Sequence, residues 1–548
     1  MPPNNMNLED RQTNGAESNK NYTIPKRVAQ IGVVLLVLIF IGSIIAAYNA
    51  KKIAENLPCT LNASELSQEK SVDCKSIYCD NPFILNDWNQ NCLLPSTTKP
   101  YTESTKKPIV NYRLPRNLKP YFYEILIKSF FNVTQEPTYY TGHVLIKFKC
   151  LKNTSKLIFH KHQNIEIDNL SFELRSSTDP YFIPVIQIKR SNYLIHHWIY
   201  NNETQLFEIE FYKDIFVENG DYSMSLGFKS LVKSDNYGIY KSFYNDENGH
   251  KKWLLASQME PIDARKAFPC FDEPNMKSKF KIRILHDASL TPMSNMPVKS
   301  VTKIDAHDSG YDWIQTDFYE TVEMSTYLVA FLISDFECLT TRVDLKMSAN
   351  VSVNVCSRPN AKNELNLSLK ASVDSLKFFE SFYNIKYPLD KLDHVAIPDF
   401  SAGAMENWGL ILYREARLLY DAKKTSQESE EGIVEVIAHE IAHQWFGNLV
   451  SPDWWTDLWL NEGFARYMQI VGTNAIRPEW GMFDQFLRIS FSIMELDSVQ
   501  SSHPISVEVN DPNEINEIFD GITYGKGASI IRMMNYFLGE ANFNRGLT

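Results

Sequence analysis

The segment His439-Glu440-Ile441-Ala442-His443 carries side chains that can bind a metal ion and move a proton. In an α-helix, positions i and i+4 lie on one face about one turn apart, so both imidazoles can reach one Zn²⁺ at about 2.0–2.1 Å each. Glu440 follows the first of these ligands, where it can hold a water at the metal as a general base. The alternative is a helix with two surface histidines, which the apolar neighbours of this segment do not favour. We therefore predict a zinc centre on this helix.

A catalytic zinc site needs a third protein ligand and one open position. Glu462 is separated from His443 by 18 residues, and it lies within a helical pattern over residues 456–469. A carboxylate on a neighbouring antiparallel helix would complete a set of two histidines and one glutamate. An exposed helix acid is the alternative for Glu462. Asp457 fits two roles, either a hydrogen-bond partner of a ligand histidine or the N-terminal cap of its helix.

The helices that must carry these groups are predicted by apolar residues at steps of three and four. The pattern indicates helices over residues 364–384 and 431–448, and Gly447 and Asn448 provide a stop for the second of them. Helical patterns of this kind dominate the chain after about residue 336.

Residues 111–335 have a different pattern, because short runs of β-branched and aromatic residues recur there and several of them alternate with polar residues. These runs begin at Phe122, His143, Asn164, Leu206 and Lys279. Turn residues separate them. The pattern predicts an all-β sandwich or a saddle-shaped sheet. We find no internal repeat.

Residues 28–48 form an apolar run of 21 residues without a charge. As a helix this run spans roughly 31 Å, which matches the hydrocarbon core of a bilayer. It is also longer than the apolar region of a cleaved signal peptide. A buried core helix is the alternative, but charged residues flank the run at both ends. We predict a single transmembrane helix, preceded by a polar, disordered cytoplasmic tail over residues 1–27.

The orientation of this span is predicted mainly by N-glycosylation motifs. One motif precedes the span, at Asn21, and seven follow it, at Asn62, Asn132, Asn153, Asn169, Asn202, Asn350 and Asn366. Basic residues lie on both sides of the span and favour a cytoplasmic N-terminus only weakly. We therefore expect a single-pass glycoprotein whose larger, C-terminal part lies outside the cell.

The cysteines agree with an external location. Four of them, Cys59, Cys74, Cys79 and Cys92, lie within residues 49–110, which are otherwise rich in Ser, Thr, Lys and Pro. We interpret this segment as an external stalk with two disulfides. A zinc knot is the alternative, but the spacing lacks paired CxxC units. Cys338 and Cys356 could close a hairpin.

The composition excludes some classes of function. Of the 548 residues, 44% are hydrophobic and 22% are charged, which is typical of a globular chain and not of a disordered one. The formal net charge is −11, without a dense stripe of Lys and Arg. A nucleic-acid partner is therefore not expected.

Five sequence elements together resemble the zinc aminopeptidases related to aminopeptidase N, of the gluzincin type. They are Gly403-Ala404-Met405-Glu406-Asn407, His439-Glu440-Ile441-Ala442-His443, Asn461-Glu462-Gly463, Tyr524 within Thr523-Tyr524-Gly525-Lys526-Gly527-Ala528, and Glu260 within Met259–Pro274. The combination is highly specific, and the resemblance extends from about residue 111 to the end, roughly 80% of the chain.

The resemblance implies a multidomain α+β fold, with an N-terminal β-sandwich or saddle domain over residues 111–335 and a thermolysin-like, mostly helical zinc domain over residues 336–548. It also implies a type II membrane anchor. Relatives have two further domains, a small β-sandwich and a large helical domain. Because this chain ends at Thr548, we expect the catalytic domain to be truncated, and a full-length form could be a homodimer.

The resemblance also implies roles for individual residues. One Zn²⁺ would be bound by His439, His443 and Glu462, with Glu440 as general base and Tyr524 as the donor to the oxyanion. The substrate would be bound by two acids that recognise its α-amine and by a backbone segment that pairs with it: Glu260, Gly403, Ala404, Met405, Glu406 and Asn407. Without the resemblance, Glu260 would be read as an exposed loop acid, and Glu406 and Tyr524 as turn residues.

We therefore expect a metallo-aminopeptidase that removes the N-terminal residue from extracellular peptides at the plasma membrane, with a preference for neutral side chains. A zinc endopeptidase is one alternative, although it leaves Glu260 and Glu406 without a role. A non-enzymatic surface receptor on the same fold is the other. It predicts loss of zinc or acid–base residues, and all of these are present.

Overall fold

The computed structural model describes residues 111–176, 186–187, 195–305 and 310–548, with the backbone alone for residues 186–187. The predicted cytoplasmic tail, transmembrane helix and stalk (residues 1–27, 28–48 and 49–110) lie outside these ranges, as do the four stalk cysteines. Within the described ranges, no helix combines the length and the apolar character that a membrane crossing requires.

The first part of the described chain is built from strands. They are β1 (Leu118–Ser129), β2 (Tyr139–Cys150), β3 (Lys156–His160), β4 (Ile165–Ser176), β5 (Ile186–Gln187), β6 (Ile195–Asn201), β7 (Leu206–Phe211), β8 (Asp221–Leu231), β9 (Gly238–Asn245), β10 (Lys251–Gln258), β11 (Lys279–Asp287), β12 (Thr291–Ser294), β13 (Val298–Lys303), β14 (Trp313–Phe318) and β15 (Phe331–Ser334). A short helix, α1 (Ala264–Ala267), lies between β10 and β11.

These strands form three sheets in the described residues. The largest has the order β13-β14-β11-β1-β2-β8-β4-β5, and β1 pairs with β11 in parallel. The two smaller sheets have the orders β12-β15-β10-β9 and β3-β7-β6. Buried and more exposed positions alternate along β1, β7 and β8, as expected for strands with one face on a core. The prediction of a β-rich N-terminal part is confirmed.

The second part of the chain contains a sheet that the sequence patterns did not predict. Its strands are β16 (Glu337–Val343), β17 (Val351–Ser357), β18 (Lys391–Ile397), β19 (Ala404–Met405) and β20 (Leu410–Arg414), in the order β16-β17-β18-β20-β19. Every residue of β18 is buried, so this strand lacks the alternation by which strands were sought. Cys338 and Cys356 form a disulfide between β16 and β17.

Helices lie between β17 and β18 and after β20, and the first two of them contact strands of this sheet. They are α2 (Asn366–Tyr383), α3 (Gln427–Ala442), α4 (Leu458–Ile476), α5 (Met482–Asp497), α6 (Pro512–Glu517), α7 (Gly527–Leu538) and α8 (Glu540–Leu547). A π-helical segment, Ile522–Lys526, precedes α7. Single 3₁₀ turns occupy Thr326–Leu328, Pro359–Glu364, Glu415–Arg417, Trp455–Asp457 and Pro478–Trp480. The order of a β-rich part followed by a helical part agrees with the prediction, although the second part also has its own sheet.

The end of α3 differs from the prediction. The helix begins after Ser426, whose side chain accepts a hydrogen bond from the backbone N–H of Ser429, and it ends at Ala442 rather than at residue 448. His443 is the C-terminal cap and keeps a right-handed helical conformation. It therefore stays on the same face as His439, one turn away. The chain then turns, with a positive φ of 123° at Gly447.

Hydrogen bonds join the β-rich part of the chain to the loops between β18 and β20 and to the turn after α3. The Tyr240 hydroxyl of β9 donates to the Asp399 carbonyl at 2.9 Å. The Asn295 amide donates to the Trp408 carbonyl at 3.0 Å, and the Tyr327 hydroxyl donates to the Gly447 carbonyl at 2.8 Å. The second and third of these contacts are buried, and the third joins the β-rich part directly to the turn that follows α3.

Candidate functional site

Three side chains from α3 and α4 converge in the interior of the second part. The Nε2 atoms of His439 and His443 are 2.9 Å apart. The Glu462 Oε2 atom lies 3.3 Å from each of these nitrogens. The i, i+4 spacing on α3 places the imidazoles together, and Glu462 reaches them from the first turns of α4.

This donor set fits a zinc ion. Two imidazoles and a carboxylate are ligands that Zn²⁺ prefers, and three protein ligands leave a position open. Burial and the neighbouring His443 lower the pKa of His439 to about 4. Burial alone would also lower the pKa of His443, but the charges of Glu406 and Glu462 outweigh it and raise that pKa well above the usual value. The site therefore favours positive charge among its three donor groups.

His443 is oriented by a backbone carbonyl. Its Nδ1 atom lies 2.9 Å from the Phe446 carbonyl oxygen, which leaves Nε2 directed towards Glu462. Asp457 lies at the N-cap position of α4, which is one of the two alternatives proposed for it, and it is not the partner of His443. It makes no side-chain cap at the start of α4, and it accepts a hydrogen bond from the Ser506 hydroxyl instead. The Phe446 carbonyl, three residues after His443, takes the place of the expected carboxylate as the partner of this histidine.

Glu440 is buried next to the two histidines. Burial raises the pKa of Glu440 well above its usual value, and the charges of Glu406 and Glu462 raise it further, while His443 opposes them. Its Oε2 atom has no hydrogen-bond partner among the described residues. A buried carboxylate with a free oxygen and a raised pKa can accept a proton from a water at this position.

A cavity of about 360 Å³ opens in front of this cluster. Its walls contain most of the predicted site residues, namely Glu260, Ala404, Glu406, His439, Glu440, His443, Glu462 and Tyr524. Gly403 lines an adjoining cavity of about 430 Å³. Met405 and Asn407 are buried but do not line the first cavity in the described part of the chain. The structure thus brings the predicted residues into one region, with two of them behind its wall.

Glu260 and Glu406 enter the cavity from different parts of the chain. Glu260 follows β10, and Glu406 follows β19. Both are buried, and one carboxylate oxygen of each has no hydrogen-bond partner among the described residues. Burial and the charge of Glu406 raise the pKa of Glu260 well above its usual value. Two buried acids that face a cavity would bind a cationic group well.

The backbone at Glu406 is held by the segment that follows α3. Its carbonyl accepts hydrogen bonds from the Asn448 amide at 2.9 Å and from the Gln444 amide at 3.3 Å. The segment that directly follows α3 therefore also positions the residue that follows β19.

β19 is an edge strand that pairs with β20 on one side, and no described strand pairs with it on the other. The Gly403 carbonyl accepts a hydrogen bond from the Arg414 N–H at 3.0 Å. Because backbone groups alternate in direction along an antiparallel strand, those of Ala404 point to the open edge. A Cβ atom at Gly403 would meet no atom within 4 Å, so the space beside the strand is clear.

Tyr524 lies in the π-helical segment on the opposite wall. Its ring centre is 6.2 Å from that of His439. Burial and the charge of Glu462 raise the pKa of the Tyr524 hydroxyl well above the usual value, so it stays protonated and can donate a hydrogen bond. The Asp520 side chain accepts hydrogen bonds from the N–H groups of Ile522 and Thr523 at 3.0 Å each. These bonds satisfy the first N–H groups of the π-helical segment.

Two glycines let the ligand helix approach the Tyr524 segment. A Cβ atom built on Gly463 would lie 2.9 Å from the Gly527 Cα atom, and one built on Gly527 would lie 3.0 Å from the Gly463 Cα atom. Gly463 directly follows Glu462 in α4, and Gly527 begins α7. The distance between the third ligand and Tyr524 is thus set by a backbone contact that no larger residue permits.

Several residues of the site were not predicted. The Gln258 amide donates to the Glu260 carbonyl at 3.3 Å, contacts the Met405 sulfur at 3.5 Å, and lines the cavity. The Phe446 carbonyl, Gln444 and Asn448 were also missed. The position of Gln258, two residues before Glu260, could have indicated that it belongs to the site. The contact of the Phe446 carbonyl could not be predicted from residue type, because it is made by the backbone.

The sequence matches two family models. A model described as the Peptidase M1 N-terminal domain matches residues 119–328, and one described as the Peptidase family M1 domain matches residues 367–548. The matches cover the β-rich part and the helical part in turn.

Curated relatives include three kinds of aminopeptidase. Aminopeptidase N of Rattus norvegicus is 39% identical over 465 residues, which are 83% of this chain and 46% of the relative. Endoplasmic reticulum aminopeptidase 1 of the same organism is 39% identical over 442 residues, 80% of this chain and 44% of the relative. Aminopeptidase A of Gloydius brevicauda is 38% identical over 438 residues, 80% of this chain and 43% of the relative.

The chain thus spans less than half the length of these curated relatives. The residues matched by the second family model nevertheless include His439, His443, Glu462 and Tyr524. From these matches and the geometry of the site together, the chain belongs to peptidase family M1.

Proposed function

We propose that this protein is a zinc aminopeptidase that removes the N-terminal residue from peptides. The observation that carries the proposal is the cavity in which two buried acids, Glu260 and Glu406, face the cluster of His439, His443 and Glu462. The cluster supplies hydrolytic chemistry, and the acids supply a means of recognising the α-amine. The names of the M1 relatives support the same activity.

His439, His443 and Glu462 would hold the zinc ion. When bound, this ion supplies Lewis-acid chemistry that acidifies water and polarises the scissile carbonyl. Glu440 accepts a proton from the attacking water at its free oxygen and returns it to the leaving amine. The Tyr524 hydroxyl donates a hydrogen bond to the oxyanion that develops on the carbonyl oxygen. A donor of this kind is typically worth about 2.7–4 kcal/mol in the transition state.

The substrate would be bound as an extra strand. We propose that its first residues pair with the open edge of β19 through the backbone of Ala404, with Gly403, Met405 and Asn407 shaping that strand. The positively charged α-amine then lies between Glu260 and Glu406. This arrangement places the first peptide bond, and no later one, in front of the metal ligands. The preference for neutral side chains remains part of the proposal.

A peptide with a blocked N-terminus tests the amine-recognition step. The protein is expected to cleave a peptide with a free α-amine and to leave its N-acetylated counterpart uncleaved. Glu406→Ala removes one charged partner of the amine, which should lower kcat/KM for the free peptide by roughly 10- to 150-fold, as expected for about 1.5–3 kcal/mol. Steady-state kinetics with both peptides measures this.

An endopeptidase would give a different result. It would cleave both peptides at comparable rates, and Glu406→Ala would affect them equally. A receptor without enzymatic activity would cleave neither peptide when supplied with zinc. Either result would contradict the proposal.

We also propose the location and domain organisation expected from the sequence. The β domain would cover residues 111–335 and the catalytic domain residues 336–548, outside the cell and anchored through residues 28–48. Support comes from the six described sequon asparagines, each of which is at least partly exposed: Asn132, Asn153, Asn169, Asn202, Asn350 and Asn366. Treatment with a glycosidase should increase the gel mobility of protein made in secretory cells. A homodimer of a longer form is tested by light scattering.

A further inference from the structure

A second group of two histidines and a glutamate lies on the β6–β7 hairpin, in the β-rich part of the chain. The Nδ1 atoms of His196 and His197 are 2.8 Å apart. The Glu210 Oε2 atom lies 3.0 Å from His197 Nε2 and 3.7 Å from His196 Nδ1. One donor atom from each residue lies within 4.8 Å of the other two.

A β-bulge brings the two histidines to one side of the strand. Consecutive residues of a regular strand point to opposite faces. The register of β6 against β7 shifts between Ile195 and His197, so that Ile195 pairs with Phe211 and His197 pairs with Glu210. The extra residue in β6 is His196, and such a residue turns its side chain towards that of its neighbour. The arrangement is therefore a property of the backbone.

The separations fit one metal ion after small side-chain rotations. Ligands of a tetrahedral ion with bonds of about 2.0–2.1 Å lie roughly 3.4 Å from one another. His197 offers one nitrogen to the ion, either Nδ1, which lies 2.8 Å from His196 Nδ1, or Nε2, which lies 3.0 Å from Glu210 Oε2. His196 Nδ1 and Glu210 Oε2 are 3.7 Å apart, and a set with one donor atom from each residue lies within 4.8 Å. Without an ion, one Nδ1 atom carries a proton and donates it to the other Nδ1 atom, which accepts the hydrogen bond.

One neighbouring cation competes for the same carboxylate. The Lys156 ammonium lies 3.8 Å from Glu210 Oε1, but its principal partner is Glu208, at 2.6 Å. Glu210 therefore keeps its other oxygen, Oε2, directed at the histidines. His196 also contacts the ring of Tyr212, with ring centres 4.9 Å apart, which covers one face of the imidazole.

We propose that His196, His197 and Glu210 form a second metal site, which binds a divalent ion that prefers nitrogen ligands, such as Zn²⁺. The side chains are 51%, 31% and 25% exposed, so an ion can reach them from solvent. A bound ion would link the bulge of β6 to β7 and hold the hairpin together. The site is separate from the α3–α4 cluster and does not depend on the proposed peptidase activity.

The test is a zinc titration of the full protein in competition with a chromophoric chelator. We expect two equivalents of Zn²⁺ per chain, and slower hydrogen exchange of the β6 and β7 amides when the second is bound. Ca²⁺, which prefers oxygen ligands, should not displace it. Glu462→Gln should weaken the other equivalent and leave this one unchanged, which separates the two sites.

Variants of the hairpin should change the second equivalent in opposite directions. Loss of an outer partner of a metal ligand already costs about 10- to 100-fold in affinity, so His197→Ala and Glu210→Gln should each weaken binding by at least about tenfold. Lys156→Met removes the competing ammonium and should strengthen binding. The matched control is His250→Ala, because His250 is 75% exposed and lies 3.6 Å from a single acid, Asp246.

Two results would overturn the proposal. One is a second equivalent whose affinity is the same in His197→Ala, Glu210→Gln and the parent protein. The other is a titration that ends at one equivalent in the parent protein and in Lys156→Met alike. Circular dichroism of each variant establishes that the β-rich part is folded, so that loss of binding is not confused with loss of structure.

Discussion

Two histidines and a glutamate come together at two places in the described part of the chain, between α3 and α4 and on the β6–β7 hairpin. The first group is buried, and the second is partly exposed. In the first, helical spacing aligns the imidazoles, whereas a bulge does so in the second. The adjacent acids differ too, because Glu440 has a free oxygen while Glu208 is paired with Lys156.

The difference shows that a set of ligands alone does not make a catalytic site. The buried group has an unpaired acid, an open strand edge and a protonated tyrosine around it. Around the hairpin group, the neighbouring acid Glu208 is paired with Lys156, and Lys156 also competes for Glu210. We therefore expect chemistry at the first place and simple ion binding at the second, and the variants below test that contrast.

The largest effect is expected at the acid that only the buried group possesses. Glu440→Gln removes the proton acceptor but keeps the size of the side chain, so turnover should fall by about 10²–10⁴-fold. Zinc content, measured by elemental analysis, should stay unchanged because Glu440 is not a ligand. If Glu440→Gln kept activity close to that of the parent protein, Glu440 would not distinguish the buried group from the hairpin group.

A smaller effect is expected where the backbone supports the buried group. In Gly463→Ala, the new methyl group would press on the Gly527 Cα atom, 2.9 Å away. Overpacking of this kind costs about 1–3 kcal/mol of unfolding free energy, and movement of the Tyr524 segment should also lower kcat. Denaturant unfolding and steady-state kinetics measure the two effects.

The matched control for this variant is Gly546→Ala. A Cβ atom at Gly546, in α8, would meet no atom within 4 Å. Alanine at a compatible helical position stabilises a protein by about 0.4–1 kcal/mol. If both variants changed stability alike, the contact between Gly463 and Gly527 would not be what sets the position of α4.

The smallest effect is expected at His503, whose exposure lies between that of the buried histidines and that of His196 on the hairpin. His503 Nε2 lies 2.8 Å from the Asp520 carboxylate, and its Nδ1 lies 2.7 Å from the Pro504 carbonyl. Burial and the charge of Lys526 lower the pKa of His503. The hydrogen bond to the Pro504 carbonyl and the Asp520 carboxylate outweigh them, so the pKa is raised above 6.5. The folded state therefore binds this proton more tightly than the unfolded state does.

The sign of the pH effect follows from this shift. The stabilisation by His503 is fully present below its unfolded pKa of about 6.5 and is lost as the pH rises through the higher folded value. His503→Gln should lower the unfolding free energy by about 0.2–1 kcal/mol in acid and by little in alkaline solution. Unfolding curves across this pH range measure it, and a loss that does not vary with pH would contradict the assignment.

Much of the buried group could be predicted because its chemistry depends on spacing within helices. The positions of His439, His443 and Glu462 relative to one another follow from the helical repeat and a helical hairpin. Glu260 and Glu406 could be assigned only through a resemblance, since their proximity depends on how β10 and β19 meet across two parts of the chain. The carbonyl of Phe446 was unpredictable because every residue has a carbonyl.

The sheet of the second part was missed for a related reason. Periodicity identifies strands that have one buried face, and β18 is buried on both. β19 is only two residues long, too short for any pattern to identify, and yet it offers the open edge. Short elements that depend on their neighbours are invisible to methods that read one segment at a time.

The two edges of that sheet differ in a way that matters for producing the protein. β19 leaves its edge open, whereas β16, at the opposite edge, is joined to β17 by the Cys338–Cys356 disulfide across 18 residues. Closing a loop of about this length is worth roughly 3 kcal/mol through the entropy of the unfolded chain. This disulfide would not form in a reducing cytosol, so recombinant protein produced there would lack the covalent link between β16 and β17. Expression through an oxidising secretory route preserves the link.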